Sequence, residues 1–211
     1  MKALTAKRPG RLKWIEIAAL LFLAAFLATG ALALQTGQEL SDKVVRLHVL
    51  ANSDSEEDQA LKLEVRDRLL AHVEPILEGA ADRREAEALL RGQLLELERI
   101  AGEEIRAQGY DYAVDVRLED TMFPTREYDG FTLPAGEYLA LRVLIGQGAG
   151  QNWWCVVFPP LCLASVSEES VETAAEGVLS ENQIALITGQ DGGYVLKFRL
   201  IEWWQELTGG N

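Results

Sequence analysis

The sequence predicts an α+β fold, with a mostly antiparallel sheet packed against two long helices after an N-terminal signal or anchor helix. Three observations carry this reading. The chain opens on a basic stretch followed by an apolar one. Two long segments then place apolar residues four apart. After them the apolar period switches to two, over short runs separated by glycine and proline.

The first element is the leader. Residues 1–34 hold Lys2, Lys7, Arg8, Arg11 and Lys13 against a single acid, Glu16, a balance of +4 that leaves the rest of the chain at −17 within a total of −13. The uncharged run Ile17 to Leu34 is long for a signal-peptide core and short for a membrane span. Its basic flank predicts that the body is exported through the export machinery. Ala31-Leu32-Ala33 fits a small-x-small cleavage site and favours cutting after Ala33, with a retained anchor as the alternative. Residues 35–43 (QTGQELSDK) read as a polar tether, and residues 44–208 as one domain. The acidic body argues against nucleic acid as a partner, because neutralising phosphates needs a basic surface.

In the body, Val45, Leu47 and Val49 alternate with Arg46 and His48, the pattern of a half-buried strand. Ser53-Asp54-Ser55-Glu56-Glu57-Asp58 then starts a helix, supplying cap oxygens and acids that complement the helix dipole. The helix runs to about Val73 with Leu61, Val65, Leu69 and Val73 as its core stripe, and Pro75 and Gly79 end it, or kink and then end it. A second helix runs from about Arg83 to Gln108, capped by Asp82 and stopped at Gly109. Its stripe is Ala86, Leu90, Leu94, Leu97 and Ala101. Tyr112 to Leu118 and Leu139 to Ile145 alternate as strands, separated by a long loop with Pro124, Gly130, Pro134 and Gly136. GQGAGQ (146–151) is a turn. Trp153 to Phe158 is apolar on both faces and reads as a central strand. Ser167 opens a short helix with Val171, Ala174, Ala175 and Val178 inward. The tail from Tyr194 fits either strand or helix, with helix favoured over Leu200 to Leu207.

Chemistry-bearing motifs are few. His48 and His72, the only histidines, lack the close spacing of a zinc pair, and no G-x-S-x-G elbow is present. The acidic run 52–58 lacks the central glycine of a calcium loop. Gly146 to Gly150 lacks the P-loop lysine. No catalytic residue, metal or cofactor is therefore assigned. His48, Asn52 and Ser53 remain of interest because they lie where a strand hands over to a helix.

The only two cysteines, Cys155 and Cys162, lie in NWWCVVFPPLC (152–162). C-x6-C is wrong for most zinc knuckles, and no second pair completes four ligands. In an exported chain, two cysteines suggest one disulfide, the alternative being two buried thiols. A straight strand would hold them about 23 Å apart, far beyond the roughly 6 Å between Cα atoms that a disulfide tolerates. The chain must reverse between them, and Pro159-Pro160 is where it can.

Together RLHVLANSDSEEDQALKLEVRD (46–67), NWWCVVFPPLC and the leader resemble the stage II sporulation protein R family of endospore-forming bacteria. The resemblance implies a signalling protein and not an enzyme. Such a protein is exported from the forespore into the space between the two membranes, where it activates a membrane-embedded aspartic protease of the mother cell. That protease then processes the pro-form of sigma factor E. The resemblance carries over a candidate partner-binding surface: His48, Asn52, Ser53 and Asp54 from the first stretch, and Trp153, Trp154, Pro159 and Pro160 from the second. Adjacent strand residues face opposite ways, so only one of the two tryptophans points inward. The competing expectation is a secreted hydrolase acting on the cell wall or on peptides through His48.

Overall fold

The computed structural model describes residues 11–162 and 168–189. The expected opening of a helix at Ser167 and the strand or helix from Tyr194 to Leu207 lie outside the described residues. The chain forms two compact units, Met1–Thr36 and Gly37–Asn211.

Helix α1 (Arg11–Ser41) contains the apolar leader. Trp14 through Ala28 are all exposed. Among the described residues no helix is long and apolar enough to cross a membrane, so the anchor alternative rests on the sequence pattern. The stretch expected as a polar tether continues α1 as far as Ser41, and Leu40 and Ser41 are buried.

Among the described residues the second unit is built on a four-stranded sheet in the order β2-β5-β1-β6, from β1 (Val45–Leu50), β2 (Val114–Phe123), β5 (Gly136–Ile145) and β6 (Asn152–Phe158). β1 pairs parallel with β5 and antiparallel with β6, and β2 pairs antiparallel with β5. The sheet is thus mostly antiparallel, as expected. The parallel pair requires a long crossover, which the two helices provide. These are α2 (Glu56–Leu77) and α3 (Arg83–Ala107). Ser55 caps α2 by accepting from the Asp58 backbone N–H, and Asp82 caps α3 by accepting from Arg84 and Glu85. α2 runs past the expected Val73 and through Pro75, and ends at Leu77, before Gly79.

The helices cover one face of the sheet. Leu47 and Val49 of β1, Leu141 and Val143 of β5, and Val116 of β2 meet Leu61, Val65, Leu69, Leu90 and Leu97 there. The opposite face carries a second core of Val44, Phe123, Tyr138, Ala140 and Val156. It is covered by a hairpin of β3 (Arg126–Tyr128) and β4 (Phe131–Leu133), and by α4 (Glu168–Ala175) and α5 (Glu181–Thr188).

Three expectations need correction. β1 is buried along its whole length rather than half-buried, because both faces of the sheet are covered where it passes. Arg46 and His48 therefore lie inside the protein. Among the described residues the apolar strand β6 sits at the end of the sheet order, not at its centre. Its side chains are buried by the layers above and below, which does not require a strand on either side. The expected long loop after β2 contains the β3–β4 hairpin, whose Phe131 and Leu133 are buried.

Leu141→Ala, at a position with no exposed surface, is expected to cost about 2–5 kcal/mol. Leu95→Ala, at an 86% exposed site on α3, should stay within about 0.5 kcal/mol. Urea unfolding midpoints at unchanged slope check both values.

Candidate functional site

The candidate residues fall into a junction, a staple and an aromatic layer. At the junction the chain leaves β1 and enters α2, beside the turn that joins β5 to β6. Asp58 is the hub. It is 4% exposed and accepts from Asn52 Nδ2 at 2.8 Å and Ser53 Oγ at 2.6 Å, with the Tyr112 hydroxyl as a third donor. Burial works to raise its pKa, but these hydrogen bonds outweigh it, and the carboxyl titrates below its ordinary value. Asn52 Oδ1 accepts from the Gln147 backbone N–H at 3.0 Å, and Asp54 Oδ1 from that of Gln151 at 2.7 Å. Backbone bonds from Ala149 to the Asn52 carbonyl and from Gly150 to the Ala51 carbonyl complete the clasp.

Two glycines make this approach possible. A Cβ on Gly146 would lie 2.2 Å from Asn52 Oδ1, and one on Gly150 would lie 2.1 Å from the Ser53 carbonyl oxygen. Gly146 also has φ +58°, where a side chain is strained. Lys62 ties the next turn of α2 to the same loop by donating to the Gln151 carbonyl at 3.0 Å. Asn52, Ser53 and Asp54 are thus engaged in holding the β5–β6 turn against α2, with only Asp54 among the three exposed.

The staple is the Cys155–Cys162 disulfide, with Cα atoms 5.2 Å apart. The chain reverses at Pro159-Pro160 as the spacing requires, and the Leu161 N–H donates to the Val156 carbonyl at 3.1 Å. The Phe158–Pro159 peptide is cis. Pro159 is buried and Pro160 exposed. Closing this ring contributes about 2.5 kcal/mol on the chain-entropy account.

The two tryptophans lie on opposite faces of β6, and both are half-buried. Trp153 packs on the helix side, where the Arg66 guanidinium lies 4.1 Å from its ring centre. Trp154 packs on the other side, under Arg126 at 4.0 Å. Each tryptophan has an arginine over its face, a stabilising cation–π arrangement.

His48 is 7% exposed. Its Nε2 lies 2.8 Å from Asn152 Oδ1, and its ring lies against Phe123 and Trp154. Burial lowers its pKa, and the charges of Arg142 and Arg46 push it in the same direction. Arg46, two residues earlier, is wholly buried. It donates to the Tyr128 hydroxyl and lies 4.0 Å from the Phe123 ring centre and 5.0 Å from that of Tyr138. Burial lowers the Arg46 pKa as well, yet a guanidinium stays charged in a protein.

The structure therefore brings His48 and Trp154 together, groups Asn52, Ser53 and Asp54 separately, and sets Trp153 on the far face. Sequence reasoning missed Asp58 as a hub, having assigned it to the helix start, and Arg46, assigned to a solvated face. The alternation that placed Arg46 beside His48 was its only signal. Among the described residues no group of His, Cys, Asp and Glu is arranged to hold a metal ion.

Comparison with known proteins gives a consistent result. The family model described as Stage II sporulation protein R (spore_II_R) matches residues 41–168. Stage II sporulation protein R of Bacillus subtilis (strain 168) is 32% identical over 185 residues, covering 80% of this chain and 83% of its own. No solved structure matches.

Gly150→Ala must displace the Ser53 backbone and is expected to destabilise by about 1–3 kcal/mol, measured by chemical unfolding. Because the folded pKa of Asp58 lies below its unfolded value near 3.9, its contribution is complete above about pH 5 and is lost as pH falls through the folded value. Melting temperature followed against pH should fall more steeply on the acid side for the wild type than for Asp58→Asn, which starts lower at neutral pH.

Proposed function

Since the chain belongs to the stage II sporulation protein R family, with a role in sporulation, we propose that it is an exported signal that activates a membrane-embedded aspartic protease of the mother cell and so triggers processing of pro-sigma-E. The observation that carries this reading is the Cys155–Cys162 disulfide. Such bonds persist in oxidising compartments and are reduced in the cytosol, so the body works outside the compartment in which it is made. The basic leader before the apolar run supplies the route.

The signal is a folded surface and not a catalyst. A general base must reach the proton it abstracts. His48 is enclosed by Phe123, Trp154 and Asn152, which leaves its ring little access to a substrate proton. The hydrolase alternative has no observation in its favour.

Deleting residues 1–34 should leave a body that folds but stays in the forespore cytoplasm. The expected outcome is accumulation of unprocessed pro-sigma-E on immunoblots of sporulating cells. Full processing by the leaderless chain would defeat the export reading.

A further inference from the structure

Among the described residues β2 ends the sheet order on the side away from β6. Its outer edge turns toward solvent the backbone groups that β5 does not reach. Proteins guard such edges by keeping them short, bulged, interrupted by proline, charged or covered. β2 is ten residues long, against a usual strand of about five to six. Its register with β5 runs from Val114 to Phe123 without a bulge, and Pro124 follows only after its last residue. Arg117 on one face, and Asp120 and Met122 on the other, are exposed, so solvent reaches this edge from both sides. The guard that β2 does carry is charge, on Asp115, Arg117, Glu119 and Asp120.

Whether charge bars a second copy depends on register. Two antiparallel strands related by a two-fold axis set one residue opposite its own copy and pair its neighbours symmetrically. Centring on Arg117 sets Arg117 against Arg117 and Asp115 against Glu119. Centring on Glu119 or on Asp120 sets an acid against itself. Like charges directly opposite are destabilising. Centring on Leu118 does the reverse: Arg117 meets Glu119 twice, Val114 meets Met122 and Asp115 meets Thr121. Pairing then extends from Val114 to Met122. A centre on Val116 also opposes unlike charges, Asp115 against Arg117, but pairs only Val114 to Leu118. In the Leu118 register each Arg117 keeps its own Asp115 at 2.7 Å and gains a second carboxylate from the other chain. The two Asp120 side chains stand about four residue spacings apart, roughly 13 Å, beyond the screening length of about 8 Å at physiological salt.

We propose that β2 pairs antiparallel with β2 of a second copy of this chain, centred on Leu118, joining the two sheets into one. The charges along the edge thus select one register instead of forbidding all of them. Repulsion between two strongly acidic bodies keeps the association reversible and dependent on concentration. This inference is independent of the function proposed above.

The test uses the oxidised full-length chain in a non-ionic detergent that covers the apolar leader, followed by sedimentation velocity. The protein mass is expected to double as concentration rises to about 100 μM. Arg117→Glu sets Glu against Glu119 of the other chain, and Glu119→Lys sets Lys against Arg117. Each alone should weaken self-association about tenfold or more. An equimolar mixture of the two should associate as the wild type does, because every cross-strand charge again meets its opposite. Melting curves check that both variants fold. A nitroxide on Met122→Cys, at a 65% exposed site, should find its copy at roughly 27 Å, about eight residue spacings along the strand. A wild type that stays monomeric at about 100 μM overturns the proposal. So does a dimer indifferent to Arg117→Glu, or a mixture of folded variants that stays monomeric. If Glu119→Lys does not fold, the nitroxide distance decides: roughly 13 Å or 40 Å belongs to a centre on Asp120 or Val116 and overturns the register.

Discussion

Strand β1 is buried on both faces, and a strand in that position must settle every polar group it carries inside the protein. Leu47 and Val49 meet the helices, while Arg46 and His48 enter the opposite core. The rest of that second layer follows from accommodating a buried cation. Phe123 and Tyr138 present ring faces to Arg46, and Tyr128 brings a hydroxyl from the β3–β4 hairpin. The hairpin is therefore more than a cover over apolar surface: among the described residues it supplies the one direct hydrogen-bond acceptor that the guanidinium has.

The two ends of β6 are held by different physics. At its start, the turn from β5 is clasped to the head of α2 through Asn52, Asp54 and the backbone of 149–151. The anchoring carboxylate of Asp58 is buried with three donors, which makes the clasp rigid and sensitive to acid. At its end, a covalent bond across the proline reversal does the same work. Among the described residues β6 ends the sheet order, a position normally prone to fraying or mispairing. Here both termini are tied, and both flat faces lie under packed layers.

Charge is distributed unevenly over this frame. The body is strongly acidic, yet arginines occupy its distinctive positions. Arg66 and Arg126 lie over the two tryptophans, Arg46 lies within the second core, and Arg117 and Arg142 stand opposed on neighbouring strands. The guanidinium suits all of these settings because it stacks on rings, donates in a plane and is weakly hydrated. A lysine at position 46 would carry the same charge without the flat face that Phe123 receives.

Local features of the chain were legible from residues alone. Asp82 before an amphipathic run specifies the start of α3, the acids after Ser53 specify the start of α2, and the alternation in 139–145 specifies a strand, because each signal acts over one or two turns of backbone. The disulfide was legible for a related reason: compartment and chain geometry leave two cysteines and a proline pair few arrangements. Strand order was not legible, since apolar residues on both faces of 153–158 report burial and not which neighbours lie to the sides. Nor were the roles of Arg46 and Asp58, whose partners Tyr128 and Tyr112 lie far along the chain. The sequence by itself determined the fold class, the helix caps and the staple. Tertiary structure decided which polar residues became interior and which aromatic ring each arginine covers, because these depend on contacts between segments distant in sequence.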